Sequence, residues 1–260
     1  MQGLSRQGTV IHFRADLSLP NAPTLVFINS LGTDFRIWDG VIQHLKGTFN
    51  VVVHDKRGHG LSGLGDEAIS IKTYASDVEA LLLSLDVRNI VLCGLSVGGL
   101  IAQELLSLKT LALKGVVLSN AGLKIGNDES WNTRLKGIAD LGLEGIAQGV
   151  MERWFSADYL TTNPEHLALF RTMLSRTPEA GYVACCKAIR DHAGFDHSGR
   201  NIPALCIGGS VDGSTPPALV KAMAANINGP YLEFENAGHL PCIEQPARYA
   251  AAIAEFARAL

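Results

Sequence analysis

Residues 89–108 read NIVLCGLSVGGLIAQELLSL, and this stretch decides the fold. Asn89–Gly94 is a short apolar run suited to a strand, and Val97–Leu108 has the composition of a helix that follows it directly. Between them, Gly94-Leu95-Ser96-Val97-Gly98 sets a serine at the strand-to-helix turn. Backbone there is strained, and flanking glycines accommodate it. The hydroxyl is lifted above the sheet edge, beside a helix N-terminus that favours negative charge. The same rhythm extends in both directions. TLVFINS (Thr24–Ser30), NVVVHD (Asn50–Asp55), KGVVLSN (Lys114–Asn120), PALCIGGS (Pro203–Ser210) and PYLEFEN (Pro230–Asn236) read as strands covered on both faces. Thr73–Leu85, Pro216–Asn226 and Pro246–Leu260 read as helices, the first with Tyr74, Val78, Leu81, Leu82 and Leu85 on one apolar face. Strand and helix in alternation predict an α/β fold, a mostly parallel central sheet flanked by helices.

The chain has 260 residues, 47% of them hydrophobic and 18% charged, with mean hydropathy +0.17. A chain this apolar and this long buries a substantial core, which excludes disorder. Net charge is −3 and no lysine or arginine cluster stands out, so no nucleic-acid partner is expected. The N-terminus lacks a signal-peptide core, and no run approaches the roughly 20 apolar residues of a membrane helix. Cys93, Cys185, Cys186, Cys206 and Cys242 form an odd set without zinc-type spacing. They read as reduced, mostly buried thiols in a cytoplasmic protein with no metal site.

One interval breaks the alternation. From Ala121 to Asn201, about 80 residues separate two strands, where a crossover needs about a dozen. Short helices are expected around Trp131–Leu141, Leu143–Phe155, Glu165–Ser175 and Pro178–His192. The chain therefore divides into a core, residues 1–120 and 202–260, and a helical cap, residues 121–201. Such an insertion tends to lie over the carboxyl ends of the strands, where open α/β sheets bind ligands.

A serine hydroxyl is a poor nucleophile at neutral pH and needs a base, which needs an orienting acid. Of eight histidines, His239 lies in NAGHLP (236–241), directly after the last strand, where a loop returns to the sheet's carboxyl edge. Asp212, in GSVDG (209–213), follows the preceding strand. Serine, acid, histidine, each after its own strand, is the order of parts in the α/β-hydrolase fold. The catalytic residues expected are Ser96, Asp212 and His239. An oxyanion needs two preorganised backbone donors, and these are expected from the amides of Val97 and of Leu31, in the loop NSLGTD (29–34). An imidazole base predicts activity that falls on acidification through about 6.5.

The stretches INSLGTDFRIWD, VVHDKRGHGLS, CGLSVGGLIAQ, LSNAGLKIG, WNTR, RWF, ACCKAIRD, GSVDGSTPP and AGHLPCIEQP, from about Thr24 to Pro246, resemble the 3-oxoadipate enol-lactonases of the α/β-hydrolase superfamily. GLSVGG and AGH are shared widely among esterases, whereas NSLGTD, HDKRGHGLS and GSVDGSTPP with the cap stretches are narrower. Two stretches depart from the family pattern: the run Arg190–Asp196 is longer, and the strand before Asp212 ends Gly208-Gly209-Ser210. The resemblance implies ring opening of 3-oxoadipate enol-lactone through an acyl-serine, without metal or organic cofactor. The implied substrate is a small anionic lactone, and an unpaired carboxylate will not enter an enclosed cavity without a cation. Trp131 and Arg134, three apart on a helix, are expected to take the ring and the carboxylate, with Trp154 as a wall; Arg190 is a weaker candidate cation. The alternative within hydrolases is a carboxylesterase or thioesterase acting on another small acyl compound. A non-catalytic receptor on the same fold gives no reason to keep the three catalytic residues together.

Overall fold

A computed structural model describes residues 1–108, 110–199 and 201–260. Its described residues hold one eight-stranded sheet in the order β1-β2-β4-β3-β5-β6-β7-β8. The strands are β1 (Gln2–Arg6), β2 (Thr9–Asp16), β3 (Thr24–Ile28), β4 (Asn50–His54), β5 (Ile90–Leu95), β6 (Leu113–Ser119), β7 (Ala204–Gly209) and β8 (Tyr231–Phe234). Strands β3 to β8 pair in parallel, and β1, β2 and β4 pair antiparallel. Every residue of β3, β4, β5 and β7 is buried, which explains their unbroken apolar runs.

The β1–β2 hairpin has no counterpart among the sequence expectations. Its strands meet at Gln7 and Gly8, both with positive φ (41° and 75°), the turn geometry that matches the twist of paired strands. In β2 only Ile11 and Phe13 point fully inward, so the strand is half-polar and lacks the apolar run of the central strands.

Outside the insertion the helices are α1 (Asp39–Leu45), α2 (Ile71–Ser84), α3 (Val97–Leu108), α8 (Pro217–Ile227), α9 (Pro241–Glu244) and α10 (Pro246–Arg258). Ser70 starts α2 with a reciprocal cap: its side chain accepts from the Thr73 amide while Thr73 Oγ1 accepts from the Ser70 amide. Between β6 and β7 lie α4 (Asp128–Trp154), α5 (Ala157–Thr162), α6 (Pro164–Ser175) and α7 (Glu179–Asp191). The two helices expected around Trp131–Leu141 and Leu143–Phe155 are the two arms of α4, joined at Gly142, whose φ of 66° and ψ of 178° interrupt the helix. α4 packs against α6 and α7, so the insertion has its own helical contacts.

The insertion also touches loops that leave the carboxyl ends of the parallel strands. Gly181 of α7 lies against Gly58, after β4, so closely that a Cβ on Gly181 would stand 2.1 Å from the Gly58 carbonyl oxygen. Tyr182 and Leu174 cover Gly32, after β3. The carbonyl of Trp154, the last residue of α4, accepts the amides of His239 (2.8 Å) and Leu240 (3.2 Å), after β8.

Candidate active site

Register brings the candidate residues to one edge. Ile28 pairs with Gly94, Leu95 with Ser119, Ser119 with Ile207, and Gly209 with Phe234. The segments that follow those strands start level with one another and carry Leu31, Ser96, Asn120, Asp212 and His239.

Ser96 stands between β5 and α3 with φ of 59°, a left-handed conformation that costs a non-glycine residue about 1–2 kcal/mol. The turn is tight because α3 starts against β3: a Cβ on Gly98 would lie 2.0 Å from the Ile28 carbonyl oxygen. Any larger residue at Gly98 would push the helix start away from the sheet. Ser96 is 7% exposed. Its amide donates to the Ser119 carbonyl at 2.9 Å, and its carbonyl accepts from Gly99 and Leu100, opening the helix.

Asp212 and His239 are 4% and 2% exposed, and His239 Nδ1 lies 2.8 Å from Asp212 Oδ2. An ionised carboxylate only accepts, so Nδ1 carries the proton and Nε2 is left as the basic nitrogen. The same Oδ2 accepts from Asn120 Nδ2 (2.8 Å) and Thr215 Oγ1 (2.6 Å), while Oδ1 accepts the amides of Ser214 (2.7 Å) and Thr215 (3.0 Å). Burial alone would raise the Asp212 carboxyl, but His239, Asn120 and Thr215 outweigh it and hold the group below its ordinary value.

Asn120 joins the serine turn to this pair. It follows Ser119, which accepts the Ser96 amide, and its Nδ2 reaches both Asp212 and the Gly238 carbonyl (3.2 Å). Among the described residues no hydrogen bond joins Ser96 Oγ to the imidazole; catalytic bonds of this kind tighten when substrate binds.

The loop from Asn29 to Asp34 is buried and internally bonded. Thr33 Oγ1 donates to the Ser30 carbonyl (2.8 Å), and Asn29 Nδ2 donates to the Thr33 carbonyl (3.4 Å). From β4's side, Lys56 Nζ donates to Ser30 O (2.5 Å) and Thr33 O (3.3 Å). The Leu31 amide donates to no protein acceptor among the described residues. At the first position of α3, the Val97 amide has no partner within the helix. Both amides are thus free to receive an anion.

On the insertion, Trp131 is half-buried and its Nε1 donates to the Ile125 carbonyl (2.8 Å). Arg134, one turn on, donates through Nη1 to the Tyr182 hydroxyl (2.7 Å), which leaves four guanidinium N–H groups. Trp154 is buried, edge-on to Phe155, and meets the histidine loop through its carbonyl. Arg190 is committed elsewhere: it pairs with Asp191 and donates to Asn132.

Arg153 carries no distinctive signal in the sequence, where a cation in the last turn of a helix reads as a partner for the helix dipole. It lines, with Arg134, a cavity of about 750 Å³ between the arms of α4, bordered also by Asn127, Ser130 and Gly149. Its Nε is buried without a partner. Burial first, and then facing Arg134, pull its guanidinium below the ordinary value. Two cations share this cavity with Glu129, and among the described residues no carboxylate forms an ion pair with either.

Among the described residues no group of three or more histidine, cysteine or carboxylate side chains could hold a metal, and no helix is long and apolar enough to cross a membrane. All five cysteines are free and buried.

Residues 25–252 match the alpha/beta hydrolase family. The chain is 30% identical over 247 residues to 3-oxoadipate enol-lactonase 2 of Acinetobacter baylyi, with 95% of this chain and 92% of that protein covered. It is 30% identical over 257 residues to 3-oxoadipate enol-lactonase 1 of the same organism, with 98% and 96% covered. Among solved structures, the enol-lactonase from Burkholderia xenovorans LB400 superposes with a TM-score of 0.91 at 32% identity, covering 98% of this chain and 99% of that one. A parallel sheet, a left-handed serine at its edge and these likenesses together make the chain a hydrolase: it belongs to the alpha/beta hydrolase family and resembles the 3-oxoadipate enol-lactonases along nearly its whole length.

Proposed function

We propose that this hydrolase opens 3-oxoadipate enol-lactone to 3-oxoadipate, using Ser96 as nucleophile, His239 as general base and Asp212 as the group that orients it. The observation that carries the reading is the buried Asp212–His239 hydrogen bond, tied through Asn120 to the turn that holds Ser96 in a left-handed conformation. The likeness to enol-lactonases supplies the substrate class.

His239 Nε2 takes the serine proton as Oγ bonds to the lactone carbonyl carbon, and the Leu31 and Val97 amides receive the oxyanion. The carbonyl re-forms as the ring C–O bond breaks. The leaving oxygen departs as an enolate, takes the proton from His239 and ketonises. Water then attacks the acyl-serine with His239 again as base, which releases the carboxylate and restores Ser96.

Residues 121–201 act in this reading as a cap over the reacting edge. Arg134 receives the substrate's carboxylate, with Arg153 beside it as the second cation, and Trp131 and Trp154 wall the lactone ring. Two guanidiniums lining one cavity, neither of them ion-paired among the described residues, support an anionic substrate. Five buried, unpaired thiols suit the reducing cytoplasm.

The test is hydrolysis of the lactone by purified protein beside a panel of neutral p-nitrophenyl esters. Efficient turnover of the lactone, abolished in Ser96→Ala, is expected. Arg134→Ala should raise KM for the lactone and leave the neutral esters' KM unchanged. Equal efficiency on neutral esters, with Arg134→Ala without effect on either, overturns the lactone reading in favour of a carboxylesterase. Turnover intact in Ser96→Ala overturns the triad itself.

A further inference from the structure

Lys56 is 2% exposed, one of the most deeply buried cations in the chain. Burying an ammonium is costly unless it is paired, and a nearby carboxylate is the usual partner. Two carboxylates are near, yet neither takes it. Asp55 accepts the Phe35 amide on one oxygen and His12 and the Leu61 amide on the other. Asp34 is occupied by Arg36, through its amide and its guanidinium. The hydrogen bonds Lys56 makes go to two backbone carbonyls, Ser30 and Thr33, on either side of Leu31–Gly32.

The Ser30 carbonyl and the Leu31 amide belong to one peptide unit. A trans peptide is planar, and its C=O and N–H point in opposite directions. Two donors hold Ser30 O, Lys56 Nζ at 2.5 Å and Thr33 Oγ1 at 2.8 Å. With the oxygen pinned from that side, the Leu31 N–H is aimed away from the ammonium. A charged donor on the carbonyl also polarises the whole unit, which makes the N–H at its other end a stronger donor.

We infer that Lys56 is a positioning residue for the oxyanion loop, setting the direction and the strength of the Leu31 amide from behind. The inference rests on the proposed role of that amide. A donor aimed at developing charge lowers the transition state and leaves ground-state binding little changed, so the effect belongs in kcat. The ammonium is also sensitive to pH. Burial pulls it down to about 8, against the opposing pull of Cys185, Asp55 and Asp34. The other titratable groups facing it are His54 and His59, both kept neutral by burial and by Lys56 itself.

The experiment follows hydrolysis of p-nitrophenyl acetate, so that it does not depend on the lactone. Lys56→Met should lower kcat by about tenfold to hundredfold, with KM within about twofold, since losing one oxyanion donor outright costs 10²–10³. Lys56→Gln keeps a neutral donor and should lie between. In the unaltered enzyme kcat should decline with a midpoint near 8, and that decline should be missing from Lys56→Met. Folded Lys56→Met with kcat within twofold of the parent, or with the same alkaline decline, overturns the inference. Should Lys56→Met fail to fold, Lys56→Gln and the parent's profile decide, and a parent kcat flat between pH 7 and 9 overturns it. Ser96→Ala is run in parallel: turnover surviving there would defeat the triad, whereas its loss beside an unaffected Lys56→Met would defeat the Lys56 role alone.

Discussion

Asn120 and Asp212 lie 92 positions apart and are joined by a hydrogen bond of 2.8 Å. The first stands where the chain leaves the sheet for the helical insertion, the second just past the strand by which it returns. The bond closes that long excursion beside the proposed catalytic base. Asn120 has φ of 45°, a conformation that asparagine and glycine adopt most readily. Asn120→Gly therefore keeps the backbone while removing the donor. Hydrogen bonds to a charged group contribute about 1.5–3 kcal/mol, so kcat/KM should fall roughly tenfold to a hundredfold. With one donor fewer, Asp212 is held less far below its ordinary value, so the further loss of activity that follows its own protonation in acid should begin at a higher pH. An unchanged profile would show that the remaining donors suffice.

Ser96 pays a backbone cost for its place at the turn. Ser96→Gly should abolish turnover, by about 10⁴-fold or more, while raising the unfolding free energy by up to about 1 kcal/mol. Denaturant melts of both proteins measure the second effect. A less stable Ser96→Gly would mean that the serine's contacts outweigh its strain.

Acid stability follows from Asp212. Its carboxyl is held below the ordinary value in the folded chain, so it binds fewer protons folded than unfolded as pH falls. Its contribution is fully present above about pH 4, the unfolded range, and is lost as pH drops through the folded value. Asp212→Asn carries no such term. The stability deficit of Asp212→Asn should be largest near neutrality and shrink below about pH 4. Urea melts of both proteins at several pH values test this, and a deficit that widens in acid contradicts it.

Arg153 shares its cavity with Arg134 and has its Nε buried without a hydrogen-bond partner, so burial and the neighbouring cation outweigh the favourable pull of Tyr182 and Glu152. Its Cγ lies 4.0 Å from the place a Cβ on Gly213 would occupy, beside the Asp212 loop. Arg153→Leu should leave the thermal midpoint unchanged or raise it. The same change should raise KM for the anionic lactone about tenfold or more, as expected for loss of a charge-assisted bond, and spare neutral esters. A lower midpoint with an unaltered lactone KM would make the residue structural.

The strands of the parallel sheet and the three catalytic candidates were legible because each carries a local signature: an unbroken apolar run, or a reactive side chain directly after one. The Gly142 break showed likewise as a boundary between two helical patterns. Asn120 carried no such signal, since its importance depends on a partner brought close only by the folded sheet. Lys56, between an aspartate and an arginine in a turn, reads as a solvated charge, and only packing by the insertion and the loop after β3 makes it a buried one. The β1–β2 hairpin was hidden for another reason: an edge ribbon with one polar face has neither the unbroken apolar run nor a strong turn dipeptide.

The Trp154 carbonyl, which receives the amides of His239 and Leu240, is main chain, so no point substitution deletes it. Grafting the helices of a relative onto this sheet would keep the histidine in place only if the graft's fourth-helix terminus arrives in the same spot. Chimaeras joined upstream of residue 154 should therefore lose activity unless that helix end is preserved, whereas exchanges confined to α6 leave the tie untouched.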